Sequence, residues 1–145
     1  IDPATVVGMA KRFEAGGCTM ITLADTIGKA SPEVVGSTIA AVQSAISVPL
    51  SLHFHDLRGS ARANVETGLA CGVRRFEGVL SGIGGCPFAP EAPGNLDLEL
   101  LANLVTERGF ATGTSAPALA AARGVLQTAL AAAQPLERPA HALSA

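Results

Sequence analysis

The chain has 145 residues, of which 48% are hydrophobic and 15% charged, enough for one domain with a sizeable core and unlike a disordered polymer. Its ten basic and twelve acidic residues give a net charge of −2; they form no Lys/Arg cluster, so nucleic acid is not an expected partner. No apolar run reaches the roughly 20 residues that cross a bilayer, so no membrane partner is expected either.

In chain order, the first signal is Asp2-Pro3, a helix cap followed by proline in the first turn. Val6, Val7, Met9, Ala10 and Phe13 then supply an apolar stripe, and Gly16 and Gly17 stop it. An opening of Ile-Asp-Pro without methionine reads as a helix start, and a segment upstream is expected to have been removed. Residues 20–24 form a short apolar run suited to a buried strand, ending at Asp25 and the turn-like Thr26-Ile27-Gly28. Ser31-Pro32 repeats the cap-then-proline signal, and Val34, Val35, Ile39, Val42 and Ile46 follow at helical spacing. A second strand is expected over 48–55 and a third helix over 60–71. A third strand follows over 75–80, then a Gly/Pro-rich loop and a helix over 96–108. Residues 115–145 are alanine-rich, with a helix over 117–133 and a Pro/His/Ser tail that should fray.

Strands alternating with helices imply parallel strands joined by crossovers, an α/β architecture whose chemistry sits at the C-terminal ends of the strands. Asp25, His53, His55 and the loop around Cys86 all fall at or just beyond such ends.

His53-Phe54-His55-Asp56 closes the second strand. Side chains alternate along a strand, so His53 and His55 face one way with Cα atoms roughly 7 Å apart and can meet on one cation. Imidazole with carboxylate or amide oxygen suits Mg²⁺, Mn²⁺, Co²⁺ or Zn²⁺ without choosing among them. The plainer reading is a pair of buried, hydrogen-bonded histidines. Asn95, at a helix start, reads when taken alone as an N-cap. Asp25 suits a closed turn, Asn64 an internal hydrogen bond, and Glu99 a favourable place near a helix N-terminus. Cys86 follows Gly82, Gly84 and Gly85, on a loop where a thiol can move protons or react. Cys18 and Cys71 read as inert. The three cysteines lack CxxC spacing and an even count, and no signal-peptide pattern is present, so disulfides are not expected and a reducing cytoplasm is the simplest compartment.

Asp25-Thr26-Ile27-Gly28, His53-Phe54-His55-Asp56, and Gly82-Ile83-Gly84-Gly85-Cys86-Pro87-Phe88-Ala89 with Gly94-Asn95 together resemble the hydroxymethylglutaryl-CoA lyase family. The resemblance runs to about Gly113, and its Gly-Gly-Cys-Pro-Phe-Ala stretch is the specific part. It implies a partial TIM (β/α)8 barrel over 1–114, the last three strands with their helices, followed by the helical tail over 115–145. It further implies a divalent cation, Mg²⁺ or Mn²⁺, held by His53, His55 and Asn95. Cys86 corresponds to a catalytic cysteine, His53 also to a catalytic position, Asp25 to a supporting aspartate and Glu99 to a carboxylate behind the ligands. The implied reaction cleaves 3-hydroxy-3-methylglutaryl-CoA to acetoacetate and acetyl-CoA, as in leucine breakdown, so an acyl-CoA is the expected substrate. The family's N-terminal strand, with a catalytic arginine and an aspartate ligand, has no counterpart here. The chain is therefore expected to need a missing half-barrel or a second copy, and to be inactive alone. Leu57 stands where threonine is usual and Glu77 where aspartate is usual; both bear on substrate positioning, and neither is expected to touch the ligands. Acyltransferases of the isopropylmalate or homocitrate synthase type are the runner-up, but they typically carry Gly-Glu-Arg where this chain has Gly-Cys-Pro. A non-catalytic half-barrel that serves as an assembly module is a third reading.

Overall fold

A computed structural model describes residues 1–57, 59–85 and 93–133. It contains helices α1 (Pro3–Ala15), α2 (Pro32–Gln43), α3 (Ser60–Ala70), α4 (Leu98–Glu107) and α5 (Ala116–Ala132). Between them run strands β1 (Ile21–Asp25), β2 (Leu50–Phe54) and β3 (Phe76–Glu77), with a short 3-10 turn at Leu80–Gly82. The strands form a parallel sheet in the order β1-β2-β3. The expected α/β alternation is present.

The helices start where local chemistry places them. The Asp2 carboxylate accepts from the Ala4 N–H at 3.1 Å, and the Ser31 hydroxyl from the Val34 N–H at 3.4 Å, each followed by proline. These groups satisfy amides that have no partner inside the helix. At the other end of α1 the Cys18 N–H reaches back to the Phe13 carbonyl at 3.1 Å, closing the last turn. The Glu14 carboxylate accepts from the Ser47 N–H and hydroxyl, both at 2.7 Å, and from the Val48 N–H at 3.2 Å, which ties α1 to the entry of β2.

One apolar core joins α1, α2, α3 and α4 to one face of the sheet. Ile39, Val42, Leu52, Val65, Leu96 and Leu104 are its most deeply buried members, with Ile21, Leu50 and Phe54 from the strands. The α1 stripe is narrower than the sequence suggests. Val6, Val7 and Ala10 pack inward while Met9 and Phe13 remain about half exposed, at 48% and 51%, and on α2 Val34 is exposed while Val35, Ile39 and Val42 are buried. An arc of apolar positions wider than the contact face leaves its margins in solvent. Arg62 bridges Glu66 and Glu107, and Arg108 also meets Glu66, linking α3 to α4 at the surface.

The first strand is displaced from expectation and the other two are shorter. β1 runs one residue later than 20–24 and includes Asp25, while β2 is Leu50–Phe54 rather than 48–55. β3 is only two residues long, not the six of 75–80. Past Glu77 the chain meets a returning segment instead. The Val79 N–H donates to the Leu96 carbonyl and the Leu98 N–H to the Val79 carbonyl, both at 3.0 Å, forming an isolated bridge between Val79 and Asp97. That returning segment delays α4, which starts at Leu98 rather than 96. Its cap is Asp97, whose carboxylate accepts from the Leu100 N–H at 2.9 Å; Asn95 is therefore not the N-cap. α5 is shifted by one residue from 117–133, and the tail expected to fray lies outside the described residues from 134 onward.

Candidate functional site

The face of the sheet opposite the core is polar. In register, Thr22 of β1 lies beside Ser51 of β2, and His53 of β2 beside Glu77 of β3. His55 continues past the end of β2, with its ring centroid 5.3 Å from that of His53 and the planes inclined by 60°. The two imidazoles therefore do share one side, as alternation requires.

Each ring has its Nδ1 engaged. His53 Nδ1 lies 3.1 Å from Glu77 Oε2, and His55 Nδ1 lies 2.7 Å from the Pro93 carbonyl oxygen. Both partners only accept, so each Nδ1 carries the hydrogen and each neutral ring keeps its Nε2 lone pair for another group. His55 is buried at 6% exposure.

Asn95 is brought alongside by the backbone. His55 and Asn95 form an isolated antiparallel bridge, with the Asp56 N–H donating to the Gly94 carbonyl and the Leu96 N–H to the Phe54 carbonyl, both at 3.0 Å. The Asn95 Nδ2 donates to the Ile83 carbonyl at 2.8 Å, which orients the carboxamide and leaves its Oδ1 available as a ligand. Two glycines make room for this. A Cβ on Gly84, whose φ is +97°, would stand 2.7 Å from Asn95 Nδ2, and one on Gly94 would stand 2.4 Å from the Gly82 carbonyl oxygen.

The remaining candidates are placed differently. The Asp25 carboxylate accepts from the Lys29 N–H at 3.1 Å and the Ala30 N–H at 2.9 Å, so both oxygens close the turn after β1; none of its side-chain hydrogen bonds goes to His53, His55 or Asn95. Asn64 is buried on α3 and donates to the Ala30 carbonyl at 3.0 Å, pinning that same turn. Glu99, in the first turn of α4, meets Arg123 of α5 at 3.2 Å, and its other oxygen is buried with no hydrogen-bond partner among the described residues. α5 is thereby attached to the body, a contact not foreseen for the alanine-rich stretch. Cys86 lies outside the described residues, while Cys18 and Cys71 are free thiols.

Glu77 corrects the sequence reading: the expectation that it does not touch the proposed ligand set fails, because its carboxylate is the partner of His53. Its other oxygen, Oε1, accepts from the Thr22 hydroxyl at 3.0 Å and from the Ser51 hydroxyl at 3.5 Å. The signal was available in the alternation of β2, which puts Ser51 and His53 on one face. What the sequence lacked was the register of β3.

Among the described residues no group of three or more His, Cys, Asp or Glu side chains is gathered to hold a metal. Two imidazoles whose Nε2 atoms have no hydrogen-bond partner among the described residues, with an oriented amide oxygen, fit three positions of a divalent cation's coordination, with further ligands still required. No helix among the described residues is long and apolar enough to cross a membrane.

The HMGL-like family model matches residues 1–126. The chain is 39% identical over 121 residues to a hydroxymethylglutaryl-CoA lyase of Pseudomonas mevalonii, covering 83% of this chain and 40% of that protein. It is 37% identical over 131 residues to an (R)-citramalyl-CoA lyase of Chloroflexus aurantiacus, covering 90% of this chain and 41% of that one. Among solved structures, an HMG-CoA lyase of Acinetobacter baumannii in complex with coenzyme A and 3-methylmalate superposes with a TM-score of 0.83 at 39% identity, covering 94% of this chain and 45% of that one. The chain thus spans less than half the length of each of these relatives.

Proposed function

The chain belongs to the HMGL-like family, and from that premise we propose that it carries the cation-binding part of an acyl-CoA carbon–carbon lyase acting on 3-hydroxy-3-methylglutaryl-CoA. The observation that carries this reading is the side-by-side pair of imidazoles, each with Nδ1 engaged, next to the oriented amide of Asn95. In this reading His53, His55 and Asn95 hold a divalent cation, Mg²⁺ or Mn²⁺. When bound, that cation supplies Lewis-acid stabilisation of negative charge on the substrate's oxygens.

The chemistry is a retro-Claisen cleavage. A base removes the proton of the tertiary hydroxyl, that oxygen becomes the ketone of acetoacetate, and the bond to the neighbouring methylene carbon breaks. The electron pair leaves on the acetyl-CoA enolate, which must gain a proton at carbon. We assign that delivery to the Cys86 thiol. Asp25, with both oxygens committed to the turn after β1, acts by holding that turn rigid beside the substrate. Glu99 acts by fixing the start of α4 just beyond Asn95.

The same reading makes the chain the last three strands of a (β/α)8 barrel in a cytoplasmic enzyme of leucine breakdown. An aspartate ligand and an arginine then come from the family's N-terminal half-barrel. The citramalyl-CoA lyase relative supports a second substrate of the same kind, a 3-hydroxy acyl-CoA with a shorter acid arm.

The test is acetoacetate release by the protein expressed from the longest reading frame that contains this sequence, stripped with chelator and resupplied with Mg²⁺ or Mn²⁺. Release should require the cation and disappear in His55→Ala. A folded protein that binds the cation but cleaves only citramalyl-CoA would move the assignment to the second substrate, and one that cleaves neither would end it.

A further inference from the structure

We propose that Glu77 is a positioning residue for the cation site, acting through His53. The inference rests on the reading of His53, His55 and Asn95 as ligands, and it assigns a role to a side chain that the ligand set omits.

The geometry is specific. Glu77 has both carboxylate oxygens occupied, Oε1 by the hydroxyls of Thr22 and Ser51 and Oε2 by Nδ1 of His53. The four residues come from three adjacent strands and share the polar face because β1, β2 and β3 are in parallel register there. A lone surface ion pair leaves its acid free to swing, and such pairs contribute little. Here the Thr22 hydroxyl at 3.0 Å holds one oxygen, with the Ser51 hydroxyl farther off at 3.5 Å, so the second oxygen points at the imidazole. The Glu77 side chain is 48% exposed, so burial does not hold it in place; the hydrogen bonds do.

The chemical consequence is directional too. An anionic acceptor on Nδ1 commits the neutral ring to the Nδ1–H tautomer, frees Nε2, and increases the electron density that Nε2 donates to a cation. His55 receives the weaker version of the same support, from the neutral carbonyl of Pro93. The two histidines are therefore unequal ligands, and removal of Glu77 should be felt at His53 alone.

The experiment uses the complete protein with ¹⁵N-labelled histidine, at about pH 8 where unperturbed imidazole is neutral. Long-range ¹H–¹⁵N correlation reads the tautomers without metal, and Mn²⁺ titration reads affinity. In the parent, His53 should show a protonated Nδ1 and a bare Nε2. In Glu77→Ala and Glu77→Gln, that signature should become mixed or reversed, His55 should keep its own, and Mn²⁺ affinity should fall by about 10- to 100-fold. An unchanged His53 signature with unchanged affinity would overturn the proposal. An unchanged signature with complete loss of Mn²⁺ would also overturn it, by making Glu77 a direct ligand. A parent that binds no Mn²⁺ would sink the ligand reading itself, a failure kept separate because the tautomer measurement needs no metal.

Discussion

At the scale of single residues, Asn95 is held more tightly by its neighbours than its own side chain implies. Gly84 is the most sensitive of them, because its φ of +97° suits glycine and a Cβ there would meet Asn95 Nδ2 at 2.7 Å. Gly84→Ala should cost about 1–2 kcal/mol through the left-handed backbone alone, measured by urea unfolding. The new methyl should also push the Asn95 carboxamide off the Ile83 carbonyl, seen as a displaced side-chain amide resonance; an unmoved resonance would show that the loop yields instead. The two histidines were legible in the sequence because alternation along a strand is a local rule. Their Nδ1 partners were not, since Glu77 and Pro93 lie 24 and 38 residues away and are delivered by strand register and a returning loop. Asn95 as a helix cap failed for a similar reason. Asp97 is an equally good cap, and only the bridge between Val79 and Asp97 decides where α4 begins.

At the scale of elements, caps and prolines marked the helix starts to within a residue or two, because those signals act within one turn. The second and third strands were overestimated, because a ladder ends where its neighbour leaves it, and for β3 that neighbour's path is a tertiary property. The tie between α1 and the entry of β2 gives this scale its prediction. The Ser47 hydroxyl, then the Ser47 N–H, hold the Glu14 carboxyl below its ordinary value of 4.5. A carboxyl lowered on folding stabilises the fold fully above its unfolded value, and that stability is lost as pH falls through the lower folded value. Glu14→Gln should therefore have a lower urea midpoint than the parent near pH 7. The difference should begin to shrink as pH drops below about 5 and vanish in stronger acid. A gap that is constant over the whole range would place the effect in packing and not in charge. Glu33, lowered chiefly by the Ser31 hydroxyl and then by its own N–H, adds to the same acid sensitivity at the start of α2.

At the scale of the whole molecule, the sheet is covered on one face and bears Thr22, Ser51, His53 and Glu77 on the other, while among the described residues β1 and β3 each pair on one side only. Parallel sheets are ordinarily buried on both faces, and unpaired strand edges recruit other strands. The 145-residue polypeptide prepared alone should accordingly show sedimentation that depends on concentration, and it should release little or no acetoacetate. A compact monomer at every concentration, or rapid turnover, would count against the half-barrel reading. The bridge between His55 and Asn95, the Asn95 amide on the Ile83 carbonyl and the contact of Gly94 with Gly82 draw the chain together at a narrow neck. That neck sets the spacing of His55 and Asn95 through backbone pairing, before either side chain takes part. In the proposed reading a cation would meet these two side chains already spaced, and its binding would not have to order the chain around them.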